Sequence, residues 1–452
     1  QPDGSNPSGS GSVKHRDGDS NGSANCGFFS GSFNGYLYGV ELASNTYGDD
    51  GNDCNTADDE AWRFRNSDFN PLYFNPNVTY TPWAGVDASG NPFGNVSVTD
   101  APDNPFLSSS SQRRIDLTRH DSNWTGSFNN RSTTDRDGDG SPDGFRYYTY
   151  SDTDGDGNFD NGEETEVKIK DAPTDVQQNF ANWFSYYRSR EHVAKAAYGQ
   201  LIAQAGNVRM GLATLHNNNS VNIAAAPMNA DVTSGNKRAL LDALYGVHSN
   251  KGTPLRSSLD KAGRYLECTS GGYFSSCPAA SAEEGGSCQQ NFAVVMTDGF
   301  YNGSFSAHGN ADGDQNTTFD GGAYADTRSN TLGDIAMHYY ERDIQTGLPD
   351  NVPTIPSIDE AEHQHMVTYG VAFGVVGSLS AMPSDPAVAF SWPDPFSGTT
   401  DQINSARIDD LRHAAYNGRG RFLSAQNPQD LISALNEALG DIGNRVGSAA
   451  AV

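Results

Sequence analysis

The residues with the most pronounced chemistry lie in one short stretch, Asp152-Thr-Asp154-Gly-Asp156-Gly157-Asn158-Phe-Asp160-Asn-Gly-Glu163. Carboxylates stand at positions 1, 3, 5 and 9 of a calcium-loop pattern, with Asn158 at position 7. Glycine at position 6 permits the sharp turn, and glutamate at position 12 has the reach to bind through both oxygens. So many carboxylates in one loop repel one another unless a hard cation neutralises them, and calcium is the expected ion. FRYYTYS just before the loop reads as a strand, so a variant without flanking helices is expected. Upstream, Asp135-Arg-Asp137-Gly-Asp139-Gly140-Ser141-Pro-Asp143 repeats the first nine positions, but Arg146 takes the place of the bidentate acid. A neighbour must then supply the last ligand. A third acidic stretch, Asn310-Ala-Asp312-Gly-Asp314-Gln-Asn316, either ligates a metal or turns the chain. No nucleophile or base accompanies these loops, so their expected role is structural, ordering segments too polar to fold by burial alone.

The composition fits such loops. Only 35% of the 452 residues are hydrophobic, 49 are glycine, and the formal net charge is −27. A core must therefore be concentrated in part of the chain. That much negative charge repels phosphate backbones and anionic lipid, so neither nucleic acid nor a membrane surface is an expected partner. There is no apolar run long enough to span a bilayer and no membrane insertion is expected. No basic-then-apolar leader follows Gln1, which places any secretion signal outside these residues. The five cysteines, Cys26, Cys54, Cys268, Cys277 and Cys288, include no CxxC pair. Their spacing argues against zinc and for a stapled surface loop around the last three, in an oxidising compartment.

Two regions must position these loops. Residues 1–172 are loop-rich: a Gly/Ser/Asp opening is followed by aromatic pieces such as FFSGSFNGYLYG and PLYFNPNVTYTPW between turn clusters, as in irregular β structure. Phe28, Phe29, Phe33 and Tyr36 are candidates for recognition or for anchoring the segment. Residues 173–445 alternate helix and strand, and 446–452 begin a linker. Thr174 and Gln177 suggest a capping box. Phe180, Trp183, Phe184, Tyr187, Ala194, Ala197 and Leu201 share one helical face. Strands are expected at Val208–Leu215, Phe292–Met296, Met366–Val376 and Gly420–Leu423. Helices are expected at Lys237–Val247, Pro254–Leu266, Thr331–Asp343 and Ile408–Tyr416, with a last one opening at Pro428. Such alternation implies an α/β fold, a mostly parallel sheet with helices on both faces and ligands at the strands' carboxyl ends. The apolar strand FAVVM runs straight into Thr297-Asp298-Gly299, where a site belongs.

Other chemistries find no support. There is no GxSxG elbow, phosphate loop, HExxH pair or strand-borne dinucleotide motif. His363 and His365 precede a buried strand and read as a satisfied loop; His413 reads as a packed helix residue. An enzyme is not expected.

Several segments carry a resemblance to the N-terminal region of the PilC/PilY family of type IV pilus tip-associated adhesins. They are YFNPNVTYTPW (Tyr73–Trp83), NFANWFSYYRSRE (Asn179–Glu191), GTPLRSSLDKAGRYL (Gly252–Leu266) and CQQNFAVVMTDGFYNG (Cys288–Gly303). TLGDIAMHYYERD (Thr331–Asp343), HQHMVTYGVAFGV (His363–Val375) and RIDDLRHAAYNGRGRFLSA (Arg407–Ala425) follow in the same order. The resemblance implies a doubly wound von Willebrand factor A-like core with a large calcium-loop insertion. It also implies a metal-ion-dependent adhesion site, with Thr253 supplying the threonine and Asp298 the aspartate, filled by calcium or magnesium. The family's DxSxS follows no apolar strand in this sequence, which puts it before Gln1 or makes it lost; a C-terminal β-propeller is implied beyond the last residues. The expected function is adhesion to surfaces or host ligands at the pilus tip, with minor pilins as partners and an extracellular location. The alternative is a structural module that caps or primes minor pilins without an external ligand.

Overall fold

Sequence patterning alone assigns the aromatic and the alternating regions different folding problems, and the computed structural model shows two solutions. It describes residues 65–449, apart from 69, 109–110, 120, 123–130, 133–139, 143, 154, 156–162, 217–220 and 249–251. Among the described residues no helix is long and apolar enough to cross a membrane. The chain divides into two compact units, residues 1–203 with 248–250, and residues 204–247 with 251–452.

The first unit holds short antiparallel pairs. These are β1 (Ala101–Pro102) with β2 (Arg114–Ile115), β3 (Asp121–Ser122) with β4 (Arg131–Ser132), and β5 (Arg146–Tyr150) with β6 (Glu164–Lys168). Two helices follow, α1 (Thr174–Tyr186) and α2 (Arg190–Gln204). The aromatic face of α1 is fully buried: the Phe180 and Trp183 rings lie 5.0 and 6.1 Å from Phe74. The strand-poor segment before it is held by side-chain amides instead of a ladder. Asn179 donates to Val78 O (2.7 Å) and accepts from Tyr80 N (2.8 Å), and Asn182 donates to Tyr80 O (2.9 Å). These bonds satisfy backbone groups that a sheet would otherwise pair. The single long helical face expected here is split. Ser189 ends the run by taking the His192 amide on its hydroxyl (3.2 Å), which starts α2. The expected capping box at Thr174 does not form either: Pro173 is the cap residue and Gln177 donates to Ile169 O (3.0 Å).

The second unit begins with an antiparallel pair, β7 (Arg209–Leu212) and β8 (Ile223–Pro227), then α3 (Gly235–Gly246) and α4 (Leu255–Leu266). Next come β9 (Asn291–Thr297), α5 (Leu332–Tyr340), β10 (Met366–Phe373), α6 (Thr400–Asn417), β11 (Arg419–Ala425) and α7 (Pro428–Ala449). Strands β9, β10 and β11 form a parallel sheet in the order β11-β10-β9. Every residue of β10 is buried, as a central strand between covered faces must be. Helix α4 approaches α5 so closely that a Cβ on Gly263 would meet the Tyr339 ring at 2.3 Å, so only glycine fits there. The fold is thus mixed α/β with a small parallel sheet packed with helices, narrower than the doubly wound sheet expected. Because the three strands are parallel, the loops after β9 and β10 leave from the same end of the sheet.

Candidate metal centre

The segment between β9 and α5 is rich in aspartate and carries two carboxylate clusters. In the first, one oxygen from each of Asp314, Asp320 and Glu341 lies within 4.8 Å of the others. Glu341 follows the last residue of α5 and is buried, while Asp314 is exposed. The loop is shaped around the acids: Asn316 N donates to Asp314 Oδ1 (3.0 Å) and Asp320 Oδ2 (3.1 Å), and Asn316 Nδ2 to Asp314 Oδ2 (3.0 Å). Thr317 donates its hydroxyl to Glu341 Oε2 at 3.1 Å. Burial, reinforced by Asp314 and Asp320, raises the Glu341 carboxyl to about 7, and burial raises Asp320 too. No lysine or arginine pairs with the three acids among the described residues. Three oxygen donors of one charge, one of them buried, suit a hard divalent cation such as calcium. The arrangement is a possible acidic metal triad.

The second cluster is fed by Asp312, two residues before Asp314, and sits at the amino end of α5. Asp312 is fully buried; its Oδ1 accepts from Asp326 N (3.0 Å) and its Oδ2 from Asn417 Nδ2 (3.0 Å). Asp334 closes a capping box with Thr331, accepting from its amide and its hydroxyl at 2.8 Å each. Asp410, on α6, accepts from Tyr301 Oη (2.6 Å), Leu332 N (3.0 Å) and Gly333 N (3.1 Å). The free amides and positive dipole end of α5 thus receive two acids. Burial still pushes all three carboxyls upward, Asp410 to about 6. His413 donates Nε2–H to Tyr324 O (2.6 Å), stacks on Trp392 at 4.0 Å and is held down to about 3 by burial.

This geometry redraws the third acidic stretch read from sequence. Asp314 enters the triad. Asp312 turns into the buried network, where its oxygens take hydrogen bonds from Asp326 N and Asn417 Nδ2. Asn316 orients the acids, and Asn310 donates to Asp326 O (3.1 Å). Sequence reasoning missed Asp320 and Glu341. Asp320 follows Asp312 at the one-to-nine spacing of a calcium loop, a signal that was there to use; Glu341 lies across the length of α5 and leaves none.

The stretch Asp152–Glu163 lies in sequence between the paired strands β5 and β6, so a strand does precede it. Glu163 Oε1 accepts from Thr153 N (2.6 Å) and Thr153 Oγ1 (2.9 Å), and its Oε2 accepts from Tyr150 Oη (2.9 Å). Asp152 Oδ1 accepts from Gly155 N at 2.6 Å. Asp154, Asp156, Asn158 and Asp160 lie outside the described residues, as do Asp135, Asp137, Asp139 and Asp143, whereas Ser141 is described and exposed. Phe28, Phe29, Phe33, Tyr36, Cys26 and Cys54 are also outside them. Cys268 and Cys277 form a disulfide, and Cys288 is an exposed free thiol. Asp298 is exposed at the carboxyl end of β9, and Thr253 precedes α4. Asn302 ties their two loops together, donating its amide to Thr253 O (2.8 Å) and accepting from Thr253 N (3.2 Å). His363 donates Nε2–H to Tyr340 O at 2.8 Å and His365 pairs with Asp359 at 3.2 Å, so both are engaged by the protein itself.

No family model and no solved structure matches the chain. It is 29% identical over 430 residues to the type IV pilus biogenesis factor PilY1 of Pseudomonas aeruginosa strain PAK, covering 84% of this chain and 36% of that protein. The namesake from strain PAO1 is 28% identical over 425 residues, covering 84% and 36%. That of strain UCBPP-PA14 is 27% identical over 435 residues, covering 84% and 35%. The chain spans about a third of the length of the curated relatives it matches.

Proposed function

From its distant homology to the type IV pilus biogenesis factor PilY1 across most of the chain, we propose that this protein is a pilus biogenesis module that also binds surfaces or host ligands in a metal-dependent way. The match over 84% of the chain carries the pilus reading. The acidic triad carries the metal reading. Calcium at Asp314, Asp320 and Glu341 would neutralise three facing acids and pin the long loop to the end of α5. The Asp152–Glu163 loop is the second calcium site of this proposal, with Asp135–Asp143 beside it in sequence. Thr253 and Asp298 are the proposed adhesion-site ligands, for calcium or magnesium. Their hydroxyl and carboxylate leave a divalent ion under-neutralised and able to take an acid from a partner. The proposed setting is the cell surface at a pilus tip, with minor pilins as neighbours. The Cys268–Cys277 disulfide fits an extracytoplasmic protein. The relatives carry the name of a biogenesis factor, not of an enzyme, and this module is read as non-enzymatic.

A second reading follows from that same name: the module serves assembly alone. One experiment separates the two. The full-length protein, carrying Glu341→Gln with Asp314→Asn, is returned to a bacterium lacking its own copy. Pilus number and surface attachment are then counted with millimolar calcium and with chelator. Normal pili with attachment that no longer responds to calcium support the metal-dependent adhesin. Attachment like that of the parent in both media removes it, and loss of pili alone favours the assembly role.

A further inference from the structure

The loop that joins β10 to α6 is unlike the rest of the second unit's surface. Four of the six large hydrophobic side chains exposed among the described residues lie within it: Val376 and Val388 at 60%, Phe396 at 41% and Met382 at 38%. From residue 374 to 406 there are three aspartates and no lysine, arginine or histidine. The start and the end of the loop meet α6 around an open cavity of about 550 Å³, lined by Ser378, Pro393, Asp394, Ser397, Asp401 and Ala406, among others. It lies at the carboxyl end of β10, the end of a parallel sheet where ligands collect.

The protein's own arginines already engage two side chains of this loop, Asp394 in the lining and Phe396 beside it in sequence. Arg328 pairs with Asp394 at 2.9 Å, and the Arg256 guanidinium lies 5.0 Å from the centre of the Phe396 ring. Asp401, on the first turn of α6, lines the same cavity, is exposed, and has neither a hydrogen bond nor an ion pair to its carboxylate among the described residues. We propose that this cavity is a docking site for a basic side chain of a partner polypeptide, with the charged head on Asp401, the aliphatic stem against Pro393 and Ala406, and the partner's flanking apolar residues on the exposed Val376 and Phe396 of the same loop. A guanidinium and a carboxylate make a two-pronged, charge-assisted pair, and the long stem of a basic residue covers apolar surface while its head stays in water. The negative surface of the whole chain would draw such a partner in; the cavity would choose its position.

The test uses the full chain and a labelled peptide, Ac-Gly-Leu-Arg-Leu-Gly-NH2, followed by fluorescence anisotropy. Parallel peptides carry citrulline or glutamate in place of arginine. The expected result is saturable binding of the arginine peptide, about tenfold weaker with citrulline and undetectable with glutamate. Asp401→Asn is expected to weaken it about tenfold and Phe396→Ser at least threefold, with unchanged circular dichroism. Asp350→Asn, an exposed acid far along the sequence, should leave it unchanged. No saturable binding, equal binding of the citrulline peptide, equal binding by Asp401→Asn, or an equal loss in Asp350→Asn would each overturn the proposal, the last by reducing it to general surface charge.

Discussion

Two carboxylate clusters, fed by residues only two apart in one loop, meet the cost of their charge in different ways. Around Asp312, Asp334 and Asp410, every acid is inside the protein and is answered by hydrogen-bond donors, chiefly the amides at the start of α5. Around Asp314, Asp320 and Glu341, the donors among the described residues come from the short loop itself, Asn316, Thr317 and the Asp320 amide, and the negative charges face each other. The first cluster is complete as a protein structure. The second, on the reading proposed above, would be completed by a cation. Acidity in the sequence is therefore no guide to metal binding by itself; what matters is whether the backbone has already supplied positive ends.

The largest consequence of that difference falls on Asp410. Its alanine variant removes an acceptor from Tyr301, Leu332 and Gly333 at once and leaves buried donors unanswered. Urea unfolding should register a loss of about 3 kcal/mol, because each orphaned buried donor costs on the order of 1 kcal/mol or more. A loss below about 1 kcal/mol would mean that the network is not what holds α5. Next comes calcium. Millimolar calcium should raise the unfolding free energy of the parent by about 3 kcal/mol if it reaches a hundred times the dissociation constant. It should do nothing for the triad's share in Glu341→Gln with Asp314→Asn, and calorimetry would show one site fewer. Equal stoichiometry would exclude the triad as the site.

A pH series sharpens the same contrast. The Asp410 carboxyl moves from an ordinary 3.8 to about 6 on folding, so the folded state holds a proton that the unfolded state has released. The stability linked to that proton is fully present below about pH 3.8 and is lost as the pH rises through about 6. With chelator present, the parent should therefore lose on the order of 2 kcal/mol more than Asp410→Asn between pH 4 and pH 7. Parallel curves for the two proteins would show that the Asp410 carboxyl titrates alike in the folded and unfolded states.

Much of the second unit was legible because its elements are long and periodic. FAVVM, MVTYGVAF and the helices of TLGDIAMHYY and RIDDLRHAA are apolar at the spacings that burial demands, and they stand where expected. β8 was missed because IAAAP carries little apolar pattern. β6 was missed because ETEVK has a charged edge face and owes its pairing to β5. The single helix read from Phe180 to Leu201 failed at Ser189, where one hydroxyl competing for backbone amides outweighs helical periodicity. At the candidate site, local spacing put Asp312 and Asp314 in one acidic stretch, to ligate a metal or turn the chain, without separating the two side chains. Their side chains part company because one faces the amino end of α5 and the other its carboxyl end, a difference that only tertiary structure creates.

The smallest expected effect is also the most discriminating, because its sign reverses between the clusters. In chelator at pH 8, Glu341→Gln keeps the shape of the side chain and still accepts from the Thr317 hydroxyl, while removing a buried charge that Asp314 and Asp320 repel. It should stabilise the protein by about 1 kcal/mol, since an unpaired buried charge costs more than the amide that replaces it. The matching change at the other end of α5, Asp410→Asn, cannot accept from all three of its donors and should destabilise under the same conditions. Adding calcium should then invert the first result, leaving the parent more stable than Glu341→Gln. If Glu341→Gln is destabilising with chelator as well, the triad is already satisfied by the protein, and the distinction between the two clusters collapses.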